Sequence, residues 1–311
     1  MKPFYARGKL LLSSEYMVMY GANALSVPLQ LGQSLHLKRR ETGSGFTWKA
    51  FYLNEPWFHV EFNPSNLSII HTSNQEIAER LAGYLKTIIA MNAHFQKEIF
   101  TWDVETYLEF HPDWGLGSSS SLTALLAEWA VLNPLDLHME ISSGSGYDVA
   151  CAVANGPIVY RIRHDAPQYS HVRFDPPFVD QIWFAWLGNK QNSHESVLHF
   201  KDLIKPGRED IAFFNQITEG MLQAEDWKEF GELMLSHEMK LSEILNVPSI
   251  TTTLFKDLDG YVKSLGAWGG DFVMIASEMD GKKLKAYLKH KRIRTIFPYT
   301  EIVQNNNVSQ P

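Results

Sequence analysis

Residues 115–129 read Gly115-Leu116-Gly117-Ser118-Ser119-Ser120-Ser121-Leu122-Thr123-Ala124-Leu125-Leu126-Ala127-Glu128-Trp129. A glycine–serine loop runs here directly into a segment with helical hydrophobic spacing. Leu122, Leu125, Leu126 and Trp129 recur at helical intervals, so one face of the segment is apolar. The stretch therefore predicts a loop that opens an amphipathic helix.

Two interpretations of this loop follow from its residues. The first turn of a helix offers unpaired backbone N–H groups and the positive end of the dipole, which favour a phosphate. Glycines allow the backbone to approach such a phosphate closely. The serines equally suit the N-cap position of an ordinary helix. The loop lacks the Gly-Lys-Ser/Thr of a Walker A motif and the third glycine of the dinucleotide fingerprint, so alone it leaves both interpretations open.

Composition limits the classes of protein to consider. The chain has 311 residues, 45% of them hydrophobic and 20% charged, which is ordinary for a globular protein with two domains. A net charge of -7 argues against a general nucleic-acid binder. The single cysteine, Cys151, excludes an internal disulfide and fits a reducing compartment. Since neither a signal peptide nor an 18-residue apolar stretch is present, we expect a cytoplasmic protein without a membrane partner.

Strand and helix patterns alternate along the whole chain. Strands are predicted at Leu10–Leu12, Ala24–Leu37, Phe46–Tyr52, Trp57–Phe62, Phe100–Phe110, Ile158–Arg163, Gln181–Leu187 and Phe272–Ala276. Helices are predicted at Gln75–Ala93, Gly144–Asn155, Asp210–Gln223, Asp226–Ile244, Pro248–Leu265 and Lys282–His290. A proline-rich stretch at His164–Pro177 marks a boundary. The pattern predicts an α+β protein with domains at 1–165 and 166–311.

Three further segments carry residues suited to chemistry. The run Gly144-Ser145-Gly146-Tyr147-Asp148-Val149-Ala150 places a carboxylate at a helix start, where it could be a cap, a base or a magnesium ligand. A second glycine-rich loop reads Gly266-Ala267-Trp268-Gly269-Gly270-Asp271. Near the N-terminus, Lys9 precedes an apolar strand and Glu15-Tyr16 follows it.

Together, in this order and at this wide spacing, the four segments resemble the GHMP kinases, the family of galactose, homoserine, mevalonate and phosphomevalonate kinases. The resemblance covers nearly the whole chain. It implies a two-domain fold, with an N-terminal half like ribosomal protein S5 domain 2 and a ferredoxin-like C-terminal half. It also implies ATP and Mg²⁺ as cofactors. Phosphoryl transfer depends mainly on positioning and electrostatic stabilisation, and an alcohol acceptor also needs a base and a cation.

The resemblance implies a role for each matching residue. Asp148 matches the aspartate that takes the proton from the acceptor hydroxyl, and Lys9 matches the lysine that pairs with it. The implied ATP-binding residues are Gly115, Leu116, Gly117, Ser118, Ser119 and Ser120, and the implied metal ligands are Ser119 and Glu140. The expected substrate-binding residues are Glu15, Tyr16, Ser145, Gly146, Tyr147, Lys190, Ser193, Gly269, Gly270 and Asp271.

The chain departs from the family pattern at several positions. Ser14 stands where glycine usually precedes the glutamate, and Trp268 replaces a glycine in the third loop. The interval between Ser121 and Asp148 is short for the family. The acids available in it are Glu128, Asp136 and Glu140, of which Glu140 is the candidate metal ligand. The metal site is therefore either incomplete or built differently.

The Gly-Gly-Asp of the third loop favours phosphomevalonate as the acceptor, with mevalonate close behind. Two alternatives stay open. The first is a lyase like diphosphomevalonate decarboxylase, although that subfamily lacks the motif lysine. The second is a non-catalytic sensor that keeps the fold and binds its ligand without turnover. The sequence also leaves the oligomeric state open, a homodimer included.

Overall fold

The computed structural model describes residues 3–40, 45–188, 205–266 and 271–304. The strands are β1 (Phe4–Leu11), β2 (Ala24–Arg39), β3 (Phe46–Tyr52), β4 (Glu55–Phe62), β5 (Ile69–Thr72), β6 (Trp102–Leu108), β7 (Ile158–Arg163), β8 (Ala166–His171), β9 (Ile182–Trp186), β10 (Tyr261–Leu265), β11 (Phe272–Ala276) and β12 (Ile296–Pro298). The helices are α1 (Gln75–Met91), α2 (Phe95–Ile99), α3 (Ser118–Trp129), α4 (Pro134–Ile141), α5 (Tyr147–Val153), α6 (Arg208–Gln223), α7 (Trp227–Leu245), α8 (Gly281–His290) and α9 (Tyr299–Ile302). The predicted α+β class is confirmed.

Two compact units divide these elements. The first comprises residues 1–8, 31–112 and 116–153, and the second comprises residues 9–30, 113–115 and 154–311. The units do not follow the predicted boundary at residue 165, because the segment 9–30 belongs with the C-terminal part of the chain. The domain boundary itself stays a prediction.

The first unit is a sheet with helices packed on its core face. Its strand order is β5-β4-β3-β6-β2, with β3 and β6 parallel and the other neighbours antiparallel. Asn74 caps helix α1, since its side chain accepts from the Ile77 N–H. The helix buries Leu81, Leu85 and Ile88. These side chains share one core with Leu125, Leu126 and Trp129 of α3, so the predicted apolar face of that helix is confirmed.

The second unit contains a four-stranded antiparallel sheet in the order β10-β11-β9-β12. Strand β11 lies between two neighbours, and all five of its residues are buried. In the same unit, the first residues of β2 pair with β7, and β7 pairs with β8. A smaller apolar cluster joins Tyr16 and Met17 to Phe214 of α6 and Leu241 of α7.

The predicted helix at Pro248–Leu265 is wrong. Residues 250–257 form turns, and the segment ends in the strand β10. The run Ile250-Thr251-Thr252-Thr253 consists of β-branched residues, which disfavour a helix. The side chain of Glu238 then accepts from the Ile250 N–H at 3.1 Å and from the Ser264 N–H at 3.0 Å. Of these two groups, the Ser264 N–H is one that a helix would have paired internally.

Within the described residues, none of the helices combines the length and the apolar character that crossing a bilayer requires.

Candidate functional site

The glycine–serine loop opens α3 without a serine cap, which corrects the capping interpretation. The N-cap residue is Gly117, with φ 96°, and among the described residues no side chain caps the helix there. The first helical bond runs from the Ser121 N–H to the Gly117 carbonyl at 2.9 Å. The N–H groups of the first turn, on Ser118, Ser119 and Ser120, therefore precede the helical ladder and suit an anion.

The serine side chains of this loop divide into two groups. The Ser120 hydroxyl donates to the Gly117 carbonyl at 3.0 Å, and the Ser121 hydroxyl donates to Gln33 Oε1 at 2.8 Å. Both side chains are buried, so they hold the loop in place. Ser119 is exposed and Ser118 is half-buried. These two hydroxyls are the ones that a ligand could reach.

Asp148 lies in the first turn of α5, in the same unit as α3. Helix α5 begins after Gly146, whose φ is 84° and whose carbonyl accepts from the Ala150 N–H at 3.0 Å. The Asp148 carboxylate is half-buried and accepts from the Val149 N–H at 3.1 Å. Ser145 is buried and Tyr147 half-buried beside it. The carboxylate is thus held at a helix start and is still partly accessible, as a general base requires.

In the second unit, Lys9 reaches the first glycine of the loop. Lys9 is only 9% exposed, and its ammonium donates to the Gly115 carbonyl at 3.1 Å. Gly115 has φ 70°, a conformation that favours glycine. The structure thus brings together two residues that are 106 positions apart in the sequence. The predicted pairing of Lys9 with Asp148, which lies in the first unit, stays a prediction.

Asp271 lies against the same glycine. A Cβ atom on Gly115 would come within 2.8 Å of the Asp271 carboxylate, and one on Gly266 would come within 3.2 Å of it. Asp271 is 5% exposed, and its backbone carbonyl accepts from the Leu187 N–H at 2.9 Å. Lys9, Gly115 and Asp271, one residue from each of three predicted motifs, therefore form one cluster in the second unit.

An aromatic cluster supports this glycine, and sequence reasoning missed it. Trp114 directly precedes Gly115, and its ring lies 5.5 Å from Phe297, 6.3 Å from Trp186 and 6.4 Å from Phe272, measured between centroids. The four rings come from distant parts of the sequence, so no local pattern announces them. Their packing fixes the residue on which the loop begins.

Glu15 and Tyr16, both expected to bind substrate, are buried in the second unit. Tyr16 is 8% exposed and packs with Met17, Phe214 and Leu241. Glu15 is 2% exposed, and its carboxylate lies 2.5 Å from Lys263 Nζ and 3.1 Å from His237 Nε2. Lys263 and His237 had no place in the motif-based prediction, since nothing local in the sequence links them to Glu15.

Burial and ion pairing set the protonation states of this group. Burial alone would raise the pKa of Glu15, but the charge of Lys263 outweighs it, so that the pKa lies below its usual value. Burial, and then the charge of Lys263, lower the pKa of His237 to about 4. Glu15 is therefore a carboxylate at neutral pH, and His237 is neutral.

Several predicted residues bear less on the site. Lys190, Ser193, Gly269 and Gly270 lie outside the described residues. Glu140 is exposed near the end of α4. Among residues 3–40, 45–188, 205–266 and 271–304, no group of three or more His, Cys, Asp or Glu side chains could hold a metal ion. The metal ligands Ser119 and Glu140 therefore stay a prediction.

Comparisons with known proteins place the fold. No protein-family model matches the chain. No curated protein matches its sequence. Among solved structures, it is similar to the phosphomevalonate kinase of Streptococcus pneumoniae in complex with phosphomevalonate and AMPPNP, with a TM-score of 0.72, 16% identity, and coverage of 96% of this chain and 99% of that one.

Two other solved kinases match over a similar span. The L. major mevalonate kinase in complex with R-mevalonate has a TM-score of 0.67 and 16% identity, and the match covers 98% of this chain and 97% of that one. The galactokinase of Lactococcus lactis complexed with galactose has a TM-score of 0.64 and 14% identity, with coverage of 98% and 93%. The chain thus has the two-domain α+β fold shared by mevalonate kinase, phosphomevalonate kinase and galactokinase, which is the GHMP kinase fold that its sequence motifs resemble.

Proposed function

We propose that this chain is an ATP-dependent kinase that phosphorylates a hydroxyl or phosphate group of a small acidic alcohol. Phosphomevalonate is the first acceptor to test and mevalonate the second. The observation that carries the proposal is the cluster of Lys9, Gly115 and Asp271 in the second unit. Residues from three separate motifs meet there at Gly115, the first glycine of the loop Gly115–Ser121, here called the phosphate loop. Packing of the core alone would not require these three motifs to meet.

The residues present suit the phosphates of ATP. The uncapped first turn of α3 follows a glycine with φ 96° and supplies N–H donors for phosphate oxygens. The exposed Ser119 hydroxyl suits Mg²⁺, which protein sites hold through few protein oxygens together with substrate phosphates. Glu140 is the proposed acidic ligand. When bound, Mg²⁺ neutralises phosphate charge.

The roles of the other residues follow from their chemistry. With a hydroxyl acceptor such as mevalonate, Asp148 takes the hydroxyl proton while the oxygen bonds to the γ-phosphorus and ADP leaves, because its carboxylate is held at the start of α5 and is partly accessible. The phosphate of phosphomevalonate is largely ionised at neutral pH, so its oxygen needs no such base. Lys9 supplies positive charge next to the phosphate loop, where negative charge develops during transfer. The retained Lys9 favours a kinase over a decarboxylase, since the decarboxylase subfamily lacks this lysine.

An ADP-release assay with ATP and Mg²⁺ tests the proposal. The acceptor panel comprises phosphomevalonate, mevalonate, homoserine and galactose, with a reaction without acceptor to measure futile ATP hydrolysis. We expect acceptor-dependent ADP release with phosphomevalonate. A parallel measurement of CO₂ release from diphosphomevalonate separates a kinase from a decarboxylase. ATP binding without ADP release for any acceptor would overturn the proposal in favour of the sensor.

A further inference from the structure

The turn that follows β1 has an unusual backbone. The Met17 N–H donates to the Glu15 carbonyl at 2.7 Å, and Tyr16 between them has φ 61° and ψ -41°. This is a γ-turn of the strained, positive-φ kind. Ser14 also has a positive φ, of 64°. Side-chain-bearing residues keep such conformations only where the surrounding structure enforces them, and such places cluster at functional sites.

The side chain of Glu15 supplies the first part of that enforcement. Lys263, 0% exposed, pairs with the Glu15 carboxylate. His237, also 0% exposed, holds the backbone instead, since its Nε2 accepts from the Ser14 N–H at 2.8 Å. The two partners come from β10 and α7, so two elements of the second unit grip the turn through its side chain and its backbone.

Hydroxyl groups supply the second part. The Ser13 hydroxyl lies 2.7 Å from the Thr218 hydroxyl of α6 and accepts from the Leu25 N–H at 2.9 Å. The Ser14 hydroxyl donates to the Asn23 carbonyl at 2.6 Å. The backbone from Ser13 to Met17 is therefore fixed from three sides within one unit.

The turn continues the strand that carries Lys9. Strand β1 ends at Leu11, and Lys9 lies two residues earlier with its ammonium on the Gly115 carbonyl. A shift of the turn would move the end of β1, and with it the lysine. A fully buried ammonium such as Lys263 also needs a counter-charge, and Glu15 supplies it. The Glu15 carboxylate is thus already paired with a cation inside the protein.

We propose that Glu15, Lys263 and His237 form a buried clamp that positions Lys9 at the phosphate loop, so that Glu15 is a positioning residue and not an acceptor ligand. The catalytic part of this inference rests on the proposed kinase function. The clamp itself has a structural readout that does not depend on activity.

A double-mutant cycle tests the clamp through kinetics. Glu15→Gln removes the ion-pair partner of the buried Lys263, whose remaining acidic neighbour is Glu238, and Lys263→Met leaves Glu15 without its cation. We expect each single variant to lower kcat by roughly tenfold or more with little change in the acceptor KM. The double variant removes both charges and should recover much of the lost kcat. If Glu15 binds the acceptor, Glu15→Gln and the double variant will be equally poor and will share a raised acceptor KM, which would overturn the proposal.

Hydrogen exchange of the Ser13–Val18 amides supplies the readout that is independent of activity. Glu15→Gln and His237→Gln should speed exchange in this segment, and both are conservative enough to serve if Lys263→Met does not fold. The matched control is Glu105→Gln, which breaks the 2.7 Å ion pair with Lys38 in the first unit and should leave the segment unchanged. If these amides exchange at the wild-type rate in Glu15→Gln, the clamp is wrong even when the enzyme is active. If exchange rises but wild type transfers no phosphate, the clamp stands and the kinase proposal fails.

Discussion

At the scale of one residue, the buried ammonium of Lys263 gives the Glu15 carboxylate a role inside the protein. Its side chain is 0% exposed, and it contacts both the Glu15 carboxylate and the Ser264 carbonyl. Removing one partner of such a buried pair typically costs about 3–5 kcal/mol, because the other charge is left without compensation. Glu15 can thus match a sequence motif and still act inside the protein, as the counter-charge of Lys263.

His237 makes the stability of the second unit depend on pH. Its Nε2 accepts from the Ser14 N–H, so this nitrogen must be unprotonated. Burial and the charge of Lys263 lower its pKa in the folded chain to about 4, whereas an unfolded histidine titrates near about 6.5. Between these values the unfolded chain binds more protons than the folded chain, so the free energy of unfolding falls as the pH drops from about 6.5 toward 4. The loss attributable to His237 is of the order of 3 kcal/mol at most.

Urea unfolding at several pH values checks this prediction. In His237→Gln the amide oxygen can still accept from the Ser14 N–H but does not titrate. We expect this variant to lose less stability than wild type over the same pH interval. Exposed His94→Gln serves as a control that should follow wild type. Parallel pH curves for wild type and His237→Gln would show that His237 does not titrate as described.

At the scale of elements, Gly115 follows Trp114 of the aromatic cluster and begins the loop that leads into α3. Gly115→Ala would force a side chain into φ 70° and bring its Cβ within 2.8 Å of the Asp271 carboxylate. Holding an alanine at this positive φ costs about 1–2 kcal/mol of folding free energy. The added Cβ would also force the buried Asp271 carboxylate to move. We therefore expect a lower unfolding temperature and a weakened affinity for ATP, measured by calorimetry.

The control for this substitution is Gly83→Ala. Gly83 lies within α1, and a Cβ added there meets nothing within 4 Å. Alanine should stabilise that helix by up to about 1 kcal/mol and leave ATP affinity unchanged. If Gly115→Ala keeps both the stability and the ATP affinity of wild type, the described packing of Asp271 on the phosphate loop is wrong.

Elements with a strong local pattern could be predicted from the sequence. Strands β3, β7 and β11 lie where hydrophobic runs predict them, because the pattern reflects burial in the sheet. Helix α3 lies where the apolar spacing predicts it, but it already begins at Ser118, inside the predicted loop, and its cap is Gly117 and not a serine, since a left-handed glycine ends the loop. The segment Pro248–Leu265 was predicted incorrectly, since its β-branched run disfavours a helix and its end forms strand β10, where Glu238 accepts from the Ser264 N–H.

At the scale of the whole molecule, the site depends on contacts between distant positions. Lys263 and Glu15 are 248 positions apart, and Ser14 and His237 are 223 apart. Periodicity and motif spacing carry no information on such pairs, because strand register and helix packing determine them. The motifs could identify Lys9, Gly115 and Asp271 one by one, but only the fold shows that they meet.

The division into two units bears on how the motifs are distributed. Asp148 and the exposed serines of α3 belong to the first unit, whereas Lys9, Gly115 and Asp271 belong to the second.

The most direct test of the kinase account compares Asp148→Asn with Asp136→Asn. Both aspartates lie in the first turn of a helix, but Asp136 is exposed and has no proposed role. Product formation from ATP and the active acceptor would be followed by mass spectrometry under identical conditions. The account predicts a phosphorylated acceptor and ADP in equal amounts from wild type and Asp136→Asn and, when the acceptor group is a hydroxyl, a rate reduced by about 10²-fold or more in Asp148→Asn. Equal rates in all three proteins would contradict the role of Asp148, and no phosphorylated product from wild type would contradict the kinase itself.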